Sequence, residues 1–388
     1  MKKILKIVAL CAFACSITFN LNAQKKAKNP FSGLKFRNIG PAMTSGRIAD
    51  IAIHPENENI WYVAVGSGGV WKTMNSGTTW KSIFDNQKVY STGCITIDPN
   101  TPSTIWLGTG ENVGGRHVGF GDGIYVSHDD GKSWKNMGLE NSEHLSKIII
   151  HPENSDVVWA ASQGPLWSKG GERGIFKSKD GGKTWKRTLG DSEWVGATDM
   201  LIDPTNPDVL YAATWQRHRT VAGYLGGGPG SGLHKSIDGG ETWKELKSGI
   251  PSSNLGKIGL AMSPFNSDVL YAVIELDRTK GGVFMTSNGG ESWTKQSDAV
   301  SGGTGPHYYQ EIIASPHYEG TLFFMNNSAL ISKDHGKTFT RMSRSNQHSD
   351  SHALVFKKSD PNYLLIGTDG GLYESFDGTN SWKYVRNL

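Results

Sequence analysis

Seven acidic side chains occur in loop-like stretches of this sequence, where they could bind or act on a ligand. They are Glu111, Asp122, Glu172, Glu275, Asp277, Asp350 and Asp369. Hydrolysis of a glycosidic bond requires two carboxyl groups that face each other across the substrate, about 5–10 Å apart. Asp350, Glu275 and Glu111 are our candidate catalytic residues, and the sequence leaves open whether any two of them face each other. No nucleophile–base motif such as GxSxG occurs in the chain.

A second group of chemically active residues is the stretch QHSDSH at residues 347–352. Alternate side chains of an extended strand share one face, so His348, Asp350 and His352 are predicted to lie together. Two imidazoles and a carboxylate could bind a metal ion or transfer protons. The spacing does not match a known metal motif, so we favour a polar loop that is hydrogen-bonded to its surroundings. We therefore predict neither a metal nor a cofactor.

A third group combines aromatic and cationic side chains in the stretch WQRHR, which begins at Trp215, and in the nearby Tyr224. Aromatic rings stack on sugars or peptide side chains, and arginine pairs with carboxylates. Burial of Trp215 at the base of a solvated loop is an equally good interpretation. The residues that we predict to bind a ligand are Arg116, His117, Trp167, Arg173, Trp215, Arg217, His218, His307, Tyr308, His348 and His352.

The elements that must position these residues repeat along the chain. The frame SKDGGKTW at Ser178–Trp185 has close copies at Thr73–Trp80, Ser127–Trp134, Ser236–Trp243, Thr286–Trp293, Ser332–Phe339 and Ser375–Trp382. The closing aromatic residues are 43 to 58 residues apart. Periods of this length are typical of propellers, solenoids and other repeat arrays.

Each position of the frame has a physical role in a hairpin turn. The first Ser or Thr ends a strand, and the Asp or Asn accepts hydrogen bonds from N–H groups of the turn. The Gly adopts a positive φ, and the aromatic residue packs between neighbouring sheets. Two of the copies have Asn, which cannot ionise, so a structural role is predicted for all seven. These residues are Asn75, Asp129, Asp180, Asp238, Asn288, Asp334 and Asp377.

The remaining sequence predicts four strands in each repeat. An apolar strand leads into a Pro-containing turn, an aromatic-rich strand follows, and a Gly-led third strand runs into the frame and a fourth strand. Such regular strand runs, without helical periodicity, predict an all-β fold, here a seven-bladed β-propeller. The Pro turns and the repeated frames should share one face, and the longer loops the other. Because loops on a rigid scaffold carry function, we expect the ligand on the loop-rich face.

The N-terminal segment differs from the repeats. Residues 1–23 combine three lysines with a short apolar run, as in a signal peptide, and residues 24–33 resemble a disordered lead-in. Residues 34–388 are predicted to form one domain, in which Leu34–Arg37 pairs at the closure of the ring. Export to the periplasm or the medium is favoured over lipoprotein anchoring.

Charge and cysteine content restrict the partners. Loss of residues 1–23 removes three lysines and no acid, so the net charge falls from +4 to +1. We therefore predict no nucleic-acid partner and no stable membrane insertion of the mature chain. Cys94 would be its one remaining cysteine, and its apolar neighbours predict a small buried side chain. Oligomeric state is left open.

The frame is the Asp box, or BNR repeat, and the whole region resembles a known group of proteins. The stretches LKFRNIGPAMTSGRIADIAIHP, GGVWKTMNSGTTW, LYAATWQRHRT, GGGPGSGLHKSIDGGETW and HSDSHALVFKKSDPNYLLIGTDGGLYES resemble bacterial exported Asp-box proteins of the sortilin N-terminal-domain-like group. Members are often named glycosyl hydrolases and are usually longer. This resemblance implies that seven blades could also be part of a larger ring.

Three functions therefore remain open. The protein could bind a glycan or a polypeptide at the axial pocket of the loop-rich face, or act there as a glycoside hydrolase. It could also be a structural platform. A hydrolase predicts converging carboxylates of which one has a raised pKa, whereas a platform predicts a flat face and a channel plugged by side chains. A propeller fold alone does not decide between them.

Overall fold

The structure is a computed structural model of the chain. It describes residues 46–115, 118–190, 193–277, 280–301, 310–343 and 345–388, with Gly33 and Tyr308. The chain divides into two compact units, Met1–Gly40 and Pro41–Leu388, and all described strands belong to the second unit. The predicted signal peptide, the lead-in apart from Gly33 and the predicted closing strand Leu34–Arg37 lie outside the described residues.

The described strands form seven antiparallel four-stranded sheets, or blades. Blade 1 contains β1 (Ile48–Ile53), β2 (Trp61–Val65), β3 (Gly69–Thr73) and β4 (Lys81–Ser82), and blade 2 contains β5 (Thr92–Ile97), β6 (Ile105–Thr109), β7 (Ile124–Ser127) and β8 (Lys135–Asn136). Blade 3 contains β9 (Leu145–His151), β10 (Asn154–Ser162), β11 (Gly174–Ser178) and β12 (Lys186–Leu189). Blade 4 contains β13 (Val195–Ile202), β14 (Leu210–Gln216), β17 (Gly232–Ser236) and β18 (Lys244–Leu246), with a small hairpin of β15 (His218–Arg219) and β16 (Tyr224–Leu225).

Blade 5 contains β19 (Ile258–Ser263), β20 (Asn266–Asp277), β21 (Lys280–Thr286) and β22 (Thr294–Ser297). Blade 6 contains β23 (Ile312–Ala314), β24 (Leu322–Phe324), β25 (Leu330–Ser332) and β26 (Thr340–Arg341), and blade 7 contains β27 (Ser351–Phe356), β28 (Leu364–Thr368), β29 (Gly371–Ser375) and β30 (Lys383–Tyr384). The predicted all-β, seven-bladed propeller is confirmed. No helix in the described part of the chain has the length and apolar character needed to span a bilayer.

The first strand of every blade faces the axis of the ring. In five of these strands, β1, β5, β9, β13 and β27, a β-bulge displaces one residue, as at Ala49 between the paired residues Ile48 and Asp50. Asp50 and Asp199 then accept the backbone N–H groups of Ile95 and Leu260, in the first strand of the following blade, at 2.9 Å each. Partly buried carboxylates that accept backbone hydrogen bonds thus link neighbouring blades at the centre.

The Asp boxes have the predicted geometry. In blade 3, β11 ends at Ser178. The Ser178 hydroxyl donates a hydrogen bond to Asp180 Oδ1 at 2.8 Å and accepts one from the N–H of Gly182. The Thr184 backbone N–H and hydroxyl donate to the same carboxylate. Trp185 donates its indole N–H to the Met137 carbonyl of the preceding blade at 2.8 Å. The box is therefore a self-contained turn with an anchor between blades.

One box departs from the predicted frame. Its fifth residue is glycine in six blades, at Gly77, Gly131, Gly182, Gly240, Gly290 and Gly336, all with φ between 77 and 88°. In blade 7 the same position is Thr379, at a φ of 82°. Because a β-branched side chain rarely adopts positive φ, the seventh box is locally strained.

The ring closes where blade 7 meets blade 1. β27 lies beside β1, and their side chains share a hydrophobic cluster that includes Ile48, Trp61 and Leu365. On the Asp-box face, Asn387 donates to the carbonyls of Gly77 and Thr78. The seven described blades thus form a complete ring, and the larger ring that the family resemblance left open is not observed. Cys94 is buried, as predicted.

Candidate functional site

The axis of the propeller contains a cavity of about 480 Å³, lined by the first strands of all seven blades. Asp50, Lys147 and Asp199 are among its lining residues. Burial raises the pKa of Asp50 and of Asp199. Burial acts to lower the pKa of Lys147, but the two carboxylates outweigh it and raise that pKa. An open, charged cavity does not match the plugged channel expected of a purely structural platform.

At the loop-rich end of this axis, two carboxylates from different blades meet on one arginine. Arg47, directly before β1, donates from Nε to Asp369 Oδ1 at 2.7 Å and from Nη1 to the Glu111 carboxylate. Glu111 follows β6 of blade 2, and Asp369 lies in the turn between β28 and β29 of blade 7. The His352 imidazole contacts Asp369 Oδ1 through Nε2 at 2.8 Å. We call Arg47, Glu111, His352 and Asp369 the axial cluster.

The electrostatics of the axial cluster favour fixed charges. Burial acts to raise the pKa of Asp369, but hydrogen bonds from His352 and Arg47 outweigh it and lower that pKa. Burial likewise acts to lower the pKa of Arg47, and the two carboxylates raise it. Glu111 also accepts the backbone N–H of Gly119 at 3.0 Å. Asp369 is thus an anion near neutral pH and lacks the raised pKa of a general acid.

Three buried arginines hold the loops of the loop-rich face together. Arg173 donates to the carbonyls of Gln163 and Gly170 within its own loop, at 3.0 and 2.7 Å. Arg217 donates to the Gly164 carbonyl at 2.9 Å, and Arg219 to the Gly114 carbonyl at 2.9 Å. Because all three are buried, any effect of Arg173 or Arg217 on a ligand would act through the loops.

Burial also changes the pKa values of two of these arginines. Burial lowers the pKa of Arg217 to about 9 and that of Arg173 to about 10. Trp215 is buried beneath Arg217, with 1% of its surface exposed, and donates its indole N–H to the Gly226 carbonyl at 2.9 Å. Burial of Trp215 at the base of its loop, one of the two interpretations from sequence, is therefore what the structure has.

Three of the described aromatic side chains on the loop-rich face are exposed. Trp167, which was predicted from the sequence, has 47% of its surface exposed, whereas Tyr90 and Phe120 have 67% and 71% and were missed. The Ser91 hydroxyl donates to the Gly119 carbonyl at 2.9 Å, so Tyr90 and Phe120 each adjoin one hydrogen-bonded pair. An aromatic residue between small or polar loop residues was the signal that could have identified them.

The predicted alternation of His348, Asp350 and His352 is wrong. β27 begins only at Ser351, and Asp350 has a φ of 67°, which breaks the extended conformation. Asp350 therefore accepts a hydrogen bond from Asn327 at 2.8 Å, whereas His352 contacts Asp369. His348 is exposed and contacts the Ser349 carbonyl. In the described part of the chain, no three His, Cys, Asp or Glu side chains are arranged to hold a metal ion.

The other predicted site residues are dispersed. Glu275, on β20 of blade 5, is buried and accepts the backbone N–H of Lys257 at 3.1 Å. The His218 ring lies 4.0 Å from that of Trp194, and Tyr308 lies 5.5 Å from the Arg47 guanidinium. Arg116, His117 and His307 lie outside the described residues. Of the three candidate catalytic carboxylates, Glu111 belongs to the axial cluster, and the catalytic roles of all three stay predictions.

Comparisons with known proteins agree with this architecture. Residues 122–253 match the family model described as "Sortilin, neurotensin receptor 3". The oligoxyloglucan reducing-end-specific xyloglucanase of Emericella nidulans is 23% identical over 262 residues, which cover 62% of this chain and 28% of that protein. The xyloglucanase of a Paenibacillus species is 21% identical over 349 residues, which cover 81% of this chain and 33% of that protein. The chain thus spans about a third or less of the length of these relatives.

Solved structures extend the comparison to the fold. An ancestral GH74 enzyme is similar with a TM-score of 0.65 and 17% identity, and the match covers 90% of this chain and 48% of the chain of that enzyme. A structure of YCF48 bound to D1 peptide is similar with a TM-score of 0.56 and 14% identity, and the match covers 88% of this chain and 98% of the YCF48 chain. The chain is a BNR-type β-propeller. Within that class, its sequence is sortilin-like and glycosyl-hydrolase-like.

Proposed function

We propose that this propeller is a recognition module that binds a glycan across its loop-rich face. The observation that carries the proposal is the set of exposed aromatic side chains, Tyr90, Phe120 and Trp167, on blades 1 to 3 of that face. Flat aromatic surfaces next to fixed hydrogen-bonding groups suit sugar rings, which have apolar faces and polar edges. The xyloglucanase relatives, which act on a glucan, support this ligand class.

The chemistry of the axial cluster favours binding over hydrolysis. A hydrolase needs one carboxyl group that carries a proton near neutral pH and a second that faces it across the sugar. Glu111 and Asp369 instead share Arg47, and hydrogen bonds lower the pKa of Asp369 against the effect of burial. The axial cluster therefore suits a fixed set of polar groups that orients a ligand at the axis.

The first experiment is isothermal titration calorimetry with a xyloglucan oligosaccharide, together with a turnover assay. Trp167→Ala and Phe120→Ala should each weaken binding about 5- to 10-fold, because a stacked ring contributes on the order of 1 kcal/mol. The matched control is Phe265→Ala, which removes a 49% exposed aromatic residue from the opposite face and should leave binding unchanged. Equal affinities of all variants would contradict the proposed binding face.

Turnover decides whether the module is also a catalyst. We expect no hydrolysis by the wild-type chain. Hydrolysis that is abolished in Glu111→Gln, Asp350→Asn or Glu275→Gln would overturn the proposal and identify one carboxyl group of a glycosidase.

A polypeptide is the second candidate ligand. The observation that favours it is the match to the peptide-bound YCF48 structure, which is a propeller of nearly the same extent as this chain. Binding to a peptide array that is lost in Trp167→Ala, with no binding to any glycan, would select this alternative.

We also propose that the protein is exported, on the pattern of residues 1–23. Mass spectrometry of the protein from the extracytoplasmic fraction should give a chain that starts at Gln24. A chain that retains Met1 in the cytoplasmic fraction would refute export.

A further inference from the structure

The junctions between blades on the Asp-box face share a packing position. The second strands place one residue at the same register, opposite the residue before the Asp box: Tyr62, Trp106, Trp159, Tyr211, Tyr271, Phe323 and Leu365. In four blades its polar tip reaches the fourth residue of the next Asp box. Tyr211 Oη, for example, donates to the Gly289 carbonyl at 2.9 Å, and Trp159 Nε1 donates to the Gly239 carbonyl at 2.9 Å.

A lysine on the third strand reinforces three of these junctions. Lys72, Lys177 and Lys235 place their ammonium groups 5.1 to 5.5 Å from the ring of the aromatic residue that they face. Lys235 also donates to the Gly289 carbonyl at 2.7 Å. At these junctions the space between adjacent blades is thus closed by the aromatic ring of the second strand, the lysine ammonium group and the next Asp box.

The junction between blades 6 and 7 lacks both parts, as does the junction between blades 7 and 1, where Leu365 lies opposite Glu374. Phe323 takes the place of Tyr or Trp and has no polar tip, and Ile331 takes the place of lysine. Between blades 6 and 7 the structure has a cavity of about 330 Å³, which we call the blade 6–7 groove. Its floor contains Phe323 and Phe356, whose ring centroids are 5.3 Å apart, and its rim contains Tyr318, with 53% of its surface exposed.

The strained seventh Asp box lies in the same groove. Thr379, at a φ of 82°, is buried and lines the groove, where the matching residue of the other six boxes is glycine. At five of the other six boxes a side chain at this position would meet the preceding blade, as at Gly240, where it would lie 2.7 Å from Trp159 Nε1. At Gly77 it would instead meet Trp61 and Trp80 of its own blade. A strained residue that lines an open cavity points to a functional role for this junction.

The groove suits a neutral ligand with apolar and polar faces. Aromatic rings form its floor and rim, and the amides of Asn362 and Asn380 and the Thr379 hydroxyl supply hydrogen-bonding groups. Its charged lining residues are Lys333 and Asp377, of opposite sign. We propose that the blade 6–7 groove binds one neutral sugar residue of a glycan, at a second site on the face opposite the loops. It is independent of the loop-rich site, because the two share no residue.

The test is a ligand-observed NMR titration with cellotetraose, an uncharged glucose oligomer, on the full chain. Tyr318→Ala should weaken binding at this site at least 5-fold. Phe323→Tyr should weaken it by a similar factor, because its new hydroxyl would reach the Gly378 carbonyl as Tyr211 reaches Gly289, and close the groove. This variant should also unfold at the same or a higher temperature than the wild type, which separates lost binding from lost folding.

Two controls keep the groove distinct from the loop-rich site. Phe265→Ala removes the exposed aromatic residue of the corresponding turn in blade 5, and Trp167→Ala removes one from the loop-rich face. Groove binding should persist in both. Absence of cellotetraose binding in every variant that retains Tyr318 and Phe323, or equal binding in Tyr318→Ala and wild type, would overturn the proposal. Preference for glucuronate or glucosamine oligomers, or for an apolar peptide, would refute the neutral sugar.

Discussion

The two faces of this propeller are built in opposite ways. The Asp-box face uses one short sequence seven times, and each box satisfies its own backbone groups, as Ser178, Asp180 and Thr184 do. The loop-rich face uses unlike loops that hold one another, through buried arginines and through Arg47. Repetition thus makes one face rigid residue by residue, whereas the other face depends on a few residues that each connect several blades.

The largest expected effect tests the packing of the repeated face. Gly240→Ala combines a φ of 79° with a Cβ only 2.7 Å from Trp159 Nε1. Backbone strain and overpacking together should reduce the free energy of unfolding by about 3 kcal/mol, as measured by urea denaturation.

The matched control is Gly170→Ala on the loop-rich face. Gly170 has a φ of 78°, but no atom lies within 4 Å of its added Cβ. Only the strain term remains, so the loss should be about 1 kcal/mol. Equal losses at the two positions would show that packing between blades does not distinguish the faces.

A smaller effect is expected from the charges that each face holds. Arg47→Met removes the cation that Glu111 and Asp369 share and should cost about 2–3 kcal/mol, because Glu111 would remain as a buried charge without its cation. On the Asp-box face, Glu241 contacts Lys177, Lys179 and Lys186 at 2.7 to 3.2 Å, and the lysine hydrogen bonds lower its pKa to about 2. Glu241→Gln should cost less than about 1 kcal/mol, since these pairs lie near the surface.

The pH dependence of Arg47→Met provides a second readout. Asp369 has a lowered pKa in the folded wild type, so its contribution to stability is present above the unfolded pKa of about 4 and is lost as pH falls. Without Arg47 the folded pKa should rise, and acid unfolding should begin at a higher pH. Asp369→Asn in the Arg47→Met background should restore part of the stability. An unchanged acid limb would mean that Arg47 does not stabilise that carboxylate.

The same contrast explains what the sequence could predict. Blade number, strand order and the role of the Asp boxes follow from local turn chemistry that recurs seven times, so each copy supports the others. The axial cluster joins residues 47, 111, 352 and 369, and no local pattern indicates that Arg47 bridges two distant loops. His348, Asp350 and His352 were misjudged because alternation assumes an extended backbone, which the positive φ of Asp350 interrupts.

The smallest expected effect concerns the charge inside a single Asp box. Asn75 and Asn288 show that an amide fits the box, since Asn75 Oδ1 accepts the Thr79 N–H at 2.8 Å and its Nδ2 donates to the Thr79 hydroxyl. Asp129→Asn should therefore change the melting temperature at pH 7 by no more than about 1 °C. A larger loss would mean that the ionised carboxylate, and not the turn geometry, stabilises the repeated face.

The acid limb should expose what that charge contributes. Hydrogen bonds from Ser133 and Ser127 lower the pKa of Asp129 to about 2. A lowered folded pKa stabilises the folded state above the unfolded value of about 4, and this contribution disappears as pH falls toward 2. The melting temperature of the wild type should therefore fall slightly faster than that of Asp129→Asn between pH 4 and pH 2. Because the amide cannot titrate, parallel curves would show that the box hydrogen bonds do not discriminate between the charged and neutral side chain.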